Sequence, residues 1–275
     1  MKKCILFLLI ILLNISPADA ALQSCDLLEA ALSMLPANHE IIKLYNNKAE
    51  ALLMAKYDGG VPYYFAGVNE NILLKPRIPQ QESAYYKPDK MYLYGFDCKG
   101  YTRWCYEEQG LKEHPSLDAI AADKQNHLNI DNIPANEKHK YLNVGDLLVG
   151  RRPQRHVLMY IGTLRDYGLD ESNFDFAPYL DNPLVIHSGN NPFYYDYYKN
   201  YIKSMGLRST PPRGGVTVSL LYIDPKLAPY HRKDVWNKDY AYFLLNDTVI
   251  SVYDVNQKEE FHWWRNNEKI EYTYY

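Results

Sequence analysis

A chain of 275 residues with 47% hydrophobic side chains is long enough to bury a substantial core. Its net charge of -3 and pI of about 6.2 give no basic field, which excludes nucleic acid as the partner. No His-x-x-x-His pair or carboxylate cluster points to a metal site, and no cofactor motif is present.

Met1 to Ala20 reads as a secretory leader, with Lys2 and Lys3 at the start, an apolar run from Ile5 to Leu13, and Ala18-Asp19-Ala20 as a small-x-small cleavage site. The apolar run is too short for a permanent membrane anchor, and nothing later in the chain reaches that length. The expected product is exported, to the periplasm or beyond the cell, without an integral membrane segment. A lipid anchor at Cys25 is the alternative; Cys25 stands far beyond the apolar run, and Gln23 suits such a site poorly.

Cleavage leaves Cys25, Cys98 and Cys105, an odd number that leaves at least one free thiol. Cys98 and Cys105 on one helix would stand roughly 10 Å apart at 1.5 Å per residue, too far for a disulfide. Tyrosine dominates the aromatics, with 27 Tyr against 8 Phe and 4 Trp. That suits an amphipathic surface for sugars or peptides, and a genome biased toward Tyr codons gives the same count.

Apolar residues at 27, 28, 31, 32 and 35 predict a first helix ended by Pro36, with Asp26-x-x-Glu29 resembling a capping box. A second helix is predicted from His39 to Tyr57, stopped by Asp58-Gly59-Gly60. These two helices, within residues 21–57, are too small to stand alone and are expected to pack on a following domain, 58–225. Gly60-Val-Pro-Tyr63-Tyr-Phe-Ala-Gly67 is an aromatic turn, followed by a long loop from Lys75 to Met91.

A third helix follows Gly95-Phe96-Asp97-Cys98, running without Gly or Pro over 101–109 to Gly110. Cys98 at its first turn meets unpaired N–H groups and the positive end of the helix dipole, which favour a thiolate nucleophile. A buried structural cysteine is the competing reading. Strands are predicted at 147–149, 156–162, 184–187 and 215–223, with a helix at 194–205. An acidic, aromatic insertion, 164–183, separates the second and third strands and has the length of a lid or binding loop. The 226–275 tail carries short strands at 242–245, 249–253, 261–264 and 270–274, a β-rich extension.

His156 opens one strand and His187 closes another, so an antiparallel pair would bring both imidazoles to one end of a sheet. With Cys98 beside them this is a nucleophile, base and orienter set. His39, His114, His127, His139, His231 and His262 sit in polar contexts and read as solvated surface residues. Trp263-Trp264 reads as core packing of a C-terminal hairpin rather than a sugar platform.

Five motifs stand in the order found in NlpC/p60-type cell-wall peptidases. Gly60-Val-Pro-Tyr63-Tyr-Phe-Ala-Gly67 resembles that family's Gly-x-Pro-Tyr-x-Trp-Gly-Gly segment, and Phe96-Asp97-Cys98-Lys99-Gly100 resembles its Asp-Cys-Ser-Gly motif. Val144-Gly145-Asp146-Leu147 resembles a strand start, Arg155-His156-Val157 with Tyr160-Ile161-Gly162 the histidine strand, and Val185-Ile186-His187 the strand of the third catalytic residue. The resemblance covers about residues 40–225. It implies an α+β papain-like fold, a small antiparallel sheet with the nucleophile helix packed against it. It also implies a cysteine endopeptidase cutting peptidoglycan stem peptides, at the γ-D-glutamyl–diamino acid amide.

Under the resemblance Cys98, His156 and His187 form the triad, Tyr63 helps the Cys98 N–H hold the oxyanion, and Asp97 recognises a substrate amine. Lys99 replaces the usual Ser and either turns the preference toward a carboxylate or points outward; Ala66 replaces the first Gly of the pair. Arg151, Arg152 and Arg155 would border the cleft where a carboxylate-bearing peptide docks. Other chemistries on this scaffold are an amidase at the sugar–peptide junction, an acyltransferase, or a non-catalytic wall-binding module.

Overall fold

The computed structural model describes residues 26–49, 51–79, 86–87, 89–110, 116–150, 155–234, 237–255 and 261–266. The leader at 1–20, Cys25, His114, Arg151, Arg152 and the strand expected at 270–274 lie outside the described residues. The chain is α+β: helices α1 (Asp26–Ser33), α2 (Glu40–Asn46), α3 (Cys98–Glu107), α4 (Leu117–Ala122) and α5 (Pro192–Ser204) surround one large sheet.

That sheet contains β3 (Leu147–Gly150), β4 (His156–Thr163), β5 (Pro183–Asn190), β6 (Gly214–Leu221), β7 (Tyr230–Lys233), β8 (Asp239–Leu245), β9 (Thr248–Tyr253) and β10 (Phe261–Trp264). The order across it is β10-β3-β4-β5-β6-β9-β8-β7. All neighbours are antiparallel except β6 and β9, which run parallel. A short pair, β1 (Pro76–Arg77) with β2 (Tyr92–Leu93), clamps the two ends of the long loop between them.

The expected small antiparallel sheet is therefore a larger, mixed one. The described part of the 226–275 tail is β-rich, as expected, and joins this same sheet. Its strands β7 to β9 continue one edge, and β10 crosses to the opposite edge beside β3. Trp263 and Trp264 are buried there by pairing with β3, not in a hairpin of their own.

Side chains alternate along each strand, so the sheet has two faces. Val149, Val157, Met159, Ile186 and Val218 point to the main core, which they share with α1, α2 and α3. Leu148, Leu158, Tyr160, Val185 and Trp263 point to a smaller core on the other face. Helix α3 is tied on both sides: the Tyr101 hydroxyl donates to Ala31 O of α1 at 2.8 Å, and the Tyr106 hydroxyl donates to Gly145 O at 2.6 Å.

Helix α2 ends at Asn46, far short of the predicted Tyr57. Asn46 offers the backbone an alternative to helix. Its side chain accepts from Leu53 N at 2.8 Å and donates to Leu53 O at 3.0 Å, closing a loop. Leu52, on the apolar face of the predicted helix, is 72% exposed. His39 is the other departure at this helix. It is only 6% exposed and caps α2, its Nδ1 accepting from Ile41 N at 3.3 Å.

The 164–183 insertion does not border the site. In an antiparallel pair the connection lies at one end, and here it follows Thr163, paired with Pro183. His156 is at the other end of β4, about 23 Å away at 3.3 Å per residue. The insertion is also anchored: Leu164, Tyr167, Leu169, Phe176 and Leu180 are buried in the main core. Its acidic residues pair locally, with Arg165 bonded to Asp181 and Glu171. Arg155, at the other end of β4, pairs with Asp118 of α4 at 2.8 Å.

Candidate active site

The turn at 60–67 lies backbone to backbone against residues 95–100. Phe96 N donates to Pro62 O at 3.1 Å, Tyr64 N to Phe96 O at 3.1 Å, and Asp97 N to Gly67 O at 3.0 Å. The approach requires glycine at two points. A Cβ on Gly67 would stand 2.0 Å from Gly95 O, and one on Gly100 would stand 1.9 Å from Gly67 O. These contacts fix where α3 begins. Asp97 is its N-cap, in extended conformation, accepting from Gly100 N at 2.6 Å.

Ala66 in this turn has φ 59, the left-handed region where a Cβ is strained by about 1–2 kcal/mol. Ala66→Gly is therefore expected to stabilise the protein by about 1 kcal/mol, part of the strain relief being offset by the added freedom of the unfolded chain. Urea unfolding of both proteins measures it, and a midpoint that does not rise contradicts the strain.

Cys98 is the first residue of α3 and 8% exposed. Helix α3 packs on β4 and β5. The β4–β5 pairing runs from Thr163 to Met159 and from Pro183 to Ile186 and stops there, so the two strands part toward His156. The Cys98 thiol sits at this parting, approached by the N–H of Val157. Burial, reinforced by the Asp97 carboxylate, pushes the thiol up to about 12 despite the helix N-terminus. The depressed thiol pKa expected from the helix dipole is not present, because desolvation outweighs it. The resting group is a thiol.

His156 and His187 meet as the antiparallel pairing predicts. His156 Nε2 lies 3.0 Å from His187 Nδ1, with the rings at 88°. Both project from the sheet face opposite α3, alternating with Val157 and Ile186. Among the described residues no hydrogen bond joins the His156 ring to the thiol, whose neighbour on β4 is the N–H of Val157. Desolvation lowers His156 to about 4 and His187 well below the ordinary range, so both rings are neutral at pH 7. Nε2 of His156 is committed to His187, which leaves Nδ1 to take a proton.

Three participants were not foreseen. His187 Nε2 lies 2.9 Å from the Ser219 hydroxyl of β6, which is hydrogen-bonded in turn to the Ser251 hydroxyl of β9. Tyr253, also on β9, stacks on His156 at 5.4 Å between centroids and stands edge-on to His187 at the same distance. The alternation in Val249-Ile-Ser251-Val-Tyr253 signals that Ser251 and Tyr253 share a face, but not which strand they adjoin.

The remaining expected residues are placed as follows. Tyr63 is half-buried and bridges to Phe96, two residues before Cys98. Asp97 directs its carboxylate to the backbone N–H groups of Gly100, Ala66 and Lys99, and burial raises its pKa. Lys99 is half-buried on the first turn of α3, and Arg155 is exposed beside His156. Cys105 is fully buried, and neither cysteine is in a disulfide.

Among the described residues no three His, Cys, Asp or Glu side chains are grouped to hold a metal ion, and no helix is long and apolar enough to cross a membrane. No protein-family model, curated protein or solved structure matches the chain.

Proposed function

We propose that the protein is an exported cysteine peptidase of the papain-like NlpC type that hydrolyses amide bonds in peptidoglycan stem peptides, at the γ-D-glutamyl–diamino acid bond. The observations that support the reading are the 3.0 Å His156–His187 contact and the place of Cys98 on the first turn of α3, a helix packed on the same two strands from their other face. The order of the five sequence motifs supports the substrate class.

The chemistry starts from two neutral partners. The reaction requires His156 Nδ1 to reach the thiol past the parted strand end, a hydrogen bond not present among the described residues; it then removes the thiol proton as Sγ attacks the carbonyl carbon, so the thiolate forms only with substrate bound. The Cys98 N–H and the Tyr63 hydroxyl hold the oxyanion, each such donor being worth ~2.7–4 kcal/mol in the transition state. His156 then protonates the leaving amine, and a thioester remains on Cys98. Water attacks the thioester with His156 again as base, which releases the acid and restores the thiol. Asp97 keeps the α3 N-terminus and the 60–67 turn together. Arg155, whose exposed pair with Asp118 contributes only ~0–1 kcal/mol, is free to exchange it for a substrate carboxylate.

Digestion of purified sacculi followed by mass spectrometry tests the reading. New amines and carboxyls at a stem-peptide bond are the expected products. Free lactyl ends indicate an amidase, and transfer to an added amine in place of water indicates an acyltransferase. Unchanged sacculi that retain the protein indicate a wall-binding module.

A further inference from the structure

We infer that Ser219 and Ser251 are positioning residues that fix the proton of His156 on Nε2 and thereby keep its Nδ1 bare as a base. The inference rests on the proposed role of His156, but its direction comes from a chain of hydrogen bonds with one fixed end. Ser251 Oγ lies 3.1 Å from the backbone oxygen of Val218. A carbonyl only accepts, so Ser251 donates its single proton there. Ser251 must then accept from Ser219, which uses the only Ser219 proton. Ser219 is left to accept from His187, so the His187 proton is on Nε2. His187 Nδ1 is then a lone pair that accepts from His156 Nε2.

The surroundings leave this direction intact. Thr217, opposite His187, accepts from Asn191 Nδ2 at 3.1 Å. The buried Tyr240 hydroxyl borders the Ser251 and Thr217 hydroxyls and has no partner of full hydrogen-bond geometry among the described residues. If it turns to Ser251 it meets the second acceptor position of that oxygen, and the Ser251 proton stays on Val218 O. Packing supports this arrangement of the rings: His156 is stacked on Tyr253, and the space beside His187 exists only because residue 189 is glycine. A Cβ there would stand 2.7 Å from His187 Nδ1.

Ring nitrogens that carry a proton and those that do not resonate far apart, so long-range proton–nitrogen correlation spectra of the full chain, labelled with 15N, read the tautomer directly. His156→Gln and His187→Gln variants supply the assignments. The expected spectrum at pH 7.5 has His156 protonated on Nε2 and bare on Nδ1, and Ser251→Thr preserves it. Ser251→Ala frees the Ser219 proton to turn toward His187. The second His156 tautomer is then expected to appear, and kcat to fall roughly 10-fold at unchanged KM, less than the roughly 10²–10⁴ that a correctly protonated base supplies in full. A wild-type His156 protonated on Nδ1 overturns the inference, as does a Ser251→Ala spectrum identical to wild type. The wild-type spectrum alone decides if the alanine variant does not fold. An Nε2 proton in a protein that cuts no stem peptide upholds the inference and removes the proposed peptidase.

Discussion

Cys98→Ser and Cys98→Ala are expected to lower stem-peptide hydrolysis by roughly 10⁴- to 10⁶-fold, the loss typical of a missing nucleophile, without unfolding the protein. A serine hydroxyl holds its proton more tightly than a thiol that burial has already pushed up to about 12. His156, lowered to about 4, is a weak base, and the mismatch with a hydroxyl is larger than with the thiol. His156→Gln should be nearly as damaging, since it removes the group that moves the proton. His187→Gln should keep partial activity, because an amide still accepts from Nε2 of His156. Cys105→Ser is the contrasting control. Its thiol is fully buried on the opposite turn of α3, so a hydroxyl there costs about 1–3 kcal/mol of stability and leaves turnover largely intact. Steady-state kinetics on a soluble muropeptide, with thermal melts of each variant, separate the two effects. Near wild-type turnover in Cys98→Ser would remove Cys98 from the chemistry.

Stability is expected to fall steeply between pH 6.5 and 4. His39, lowered to about 3, His156, lowered to about 4, and His187, lowered further than the ordinary range allows, are all neutral in the fold. Their unfolded counterparts titrate near 6.5. Above that value both states are neutral and the stability is complete. Below it the unfolded chain binds protons that the folded one refuses, so each histidine removes up to about 1.4 kcal/mol per pH unit until the folded pKa is passed. Three together approach about 4 kcal/mol per unit, enough to unfold a domain of ordinary stability, ~5–15 kcal/mol, before pH 4. Asp97, Asp146 and Asp166 work the other way, because burial raises their folded pKa values and they gain stability as they protonate. They offset part of the loss at its acidic end. His39→Asn retains an N-cap acceptor for Ile41 and should flatten the slope by one proton. Urea unfolding at half-unit pH steps measures both, and a midpoint unchanged from pH 7 to 5 contradicts the buried neutral rings.

The local parts of the site were legible in the sequence. Asp97 before a run free of Gly and Pro marks the start of α3, and it does cap that helix. Period-two alternation around His156 and His187 locates β4 and β5 and the end at which the imidazoles meet. What was not legible depends on contacts far apart in sequence. The tail strands were visible, but nothing local announces that β9 lies parallel to β6 and brings Ser251 to Ser219. The length of the insertion suggests a lid or binding loop, whereas its buried Tyr167, Phe176 and Leu180 decide where it sits. A dipole at Cys98 follows from the helix alone, but the burial that outweighs it follows from the whole fold. His39 was misplaced for the same reason: a polar neighbourhood in sequence says little about a cap folded under another strand, where Glu40 N donates to Thr248 Oγ1 at 3.0 Å.

The most direct measurement is to trap the acyl-enzyme. The protein is mixed with excess stem peptide, quenched in acid within a single turnover, and weighed intact and after digestion. The expected result is a mass increase equal to the acyl half of the substrate, confined to the peptide that contains Cys98, and absent in Cys98→Ala. Product release with no adduct, or an adduct that persists in Cys98→Ala, would contradict Cys98 as the nucleophile.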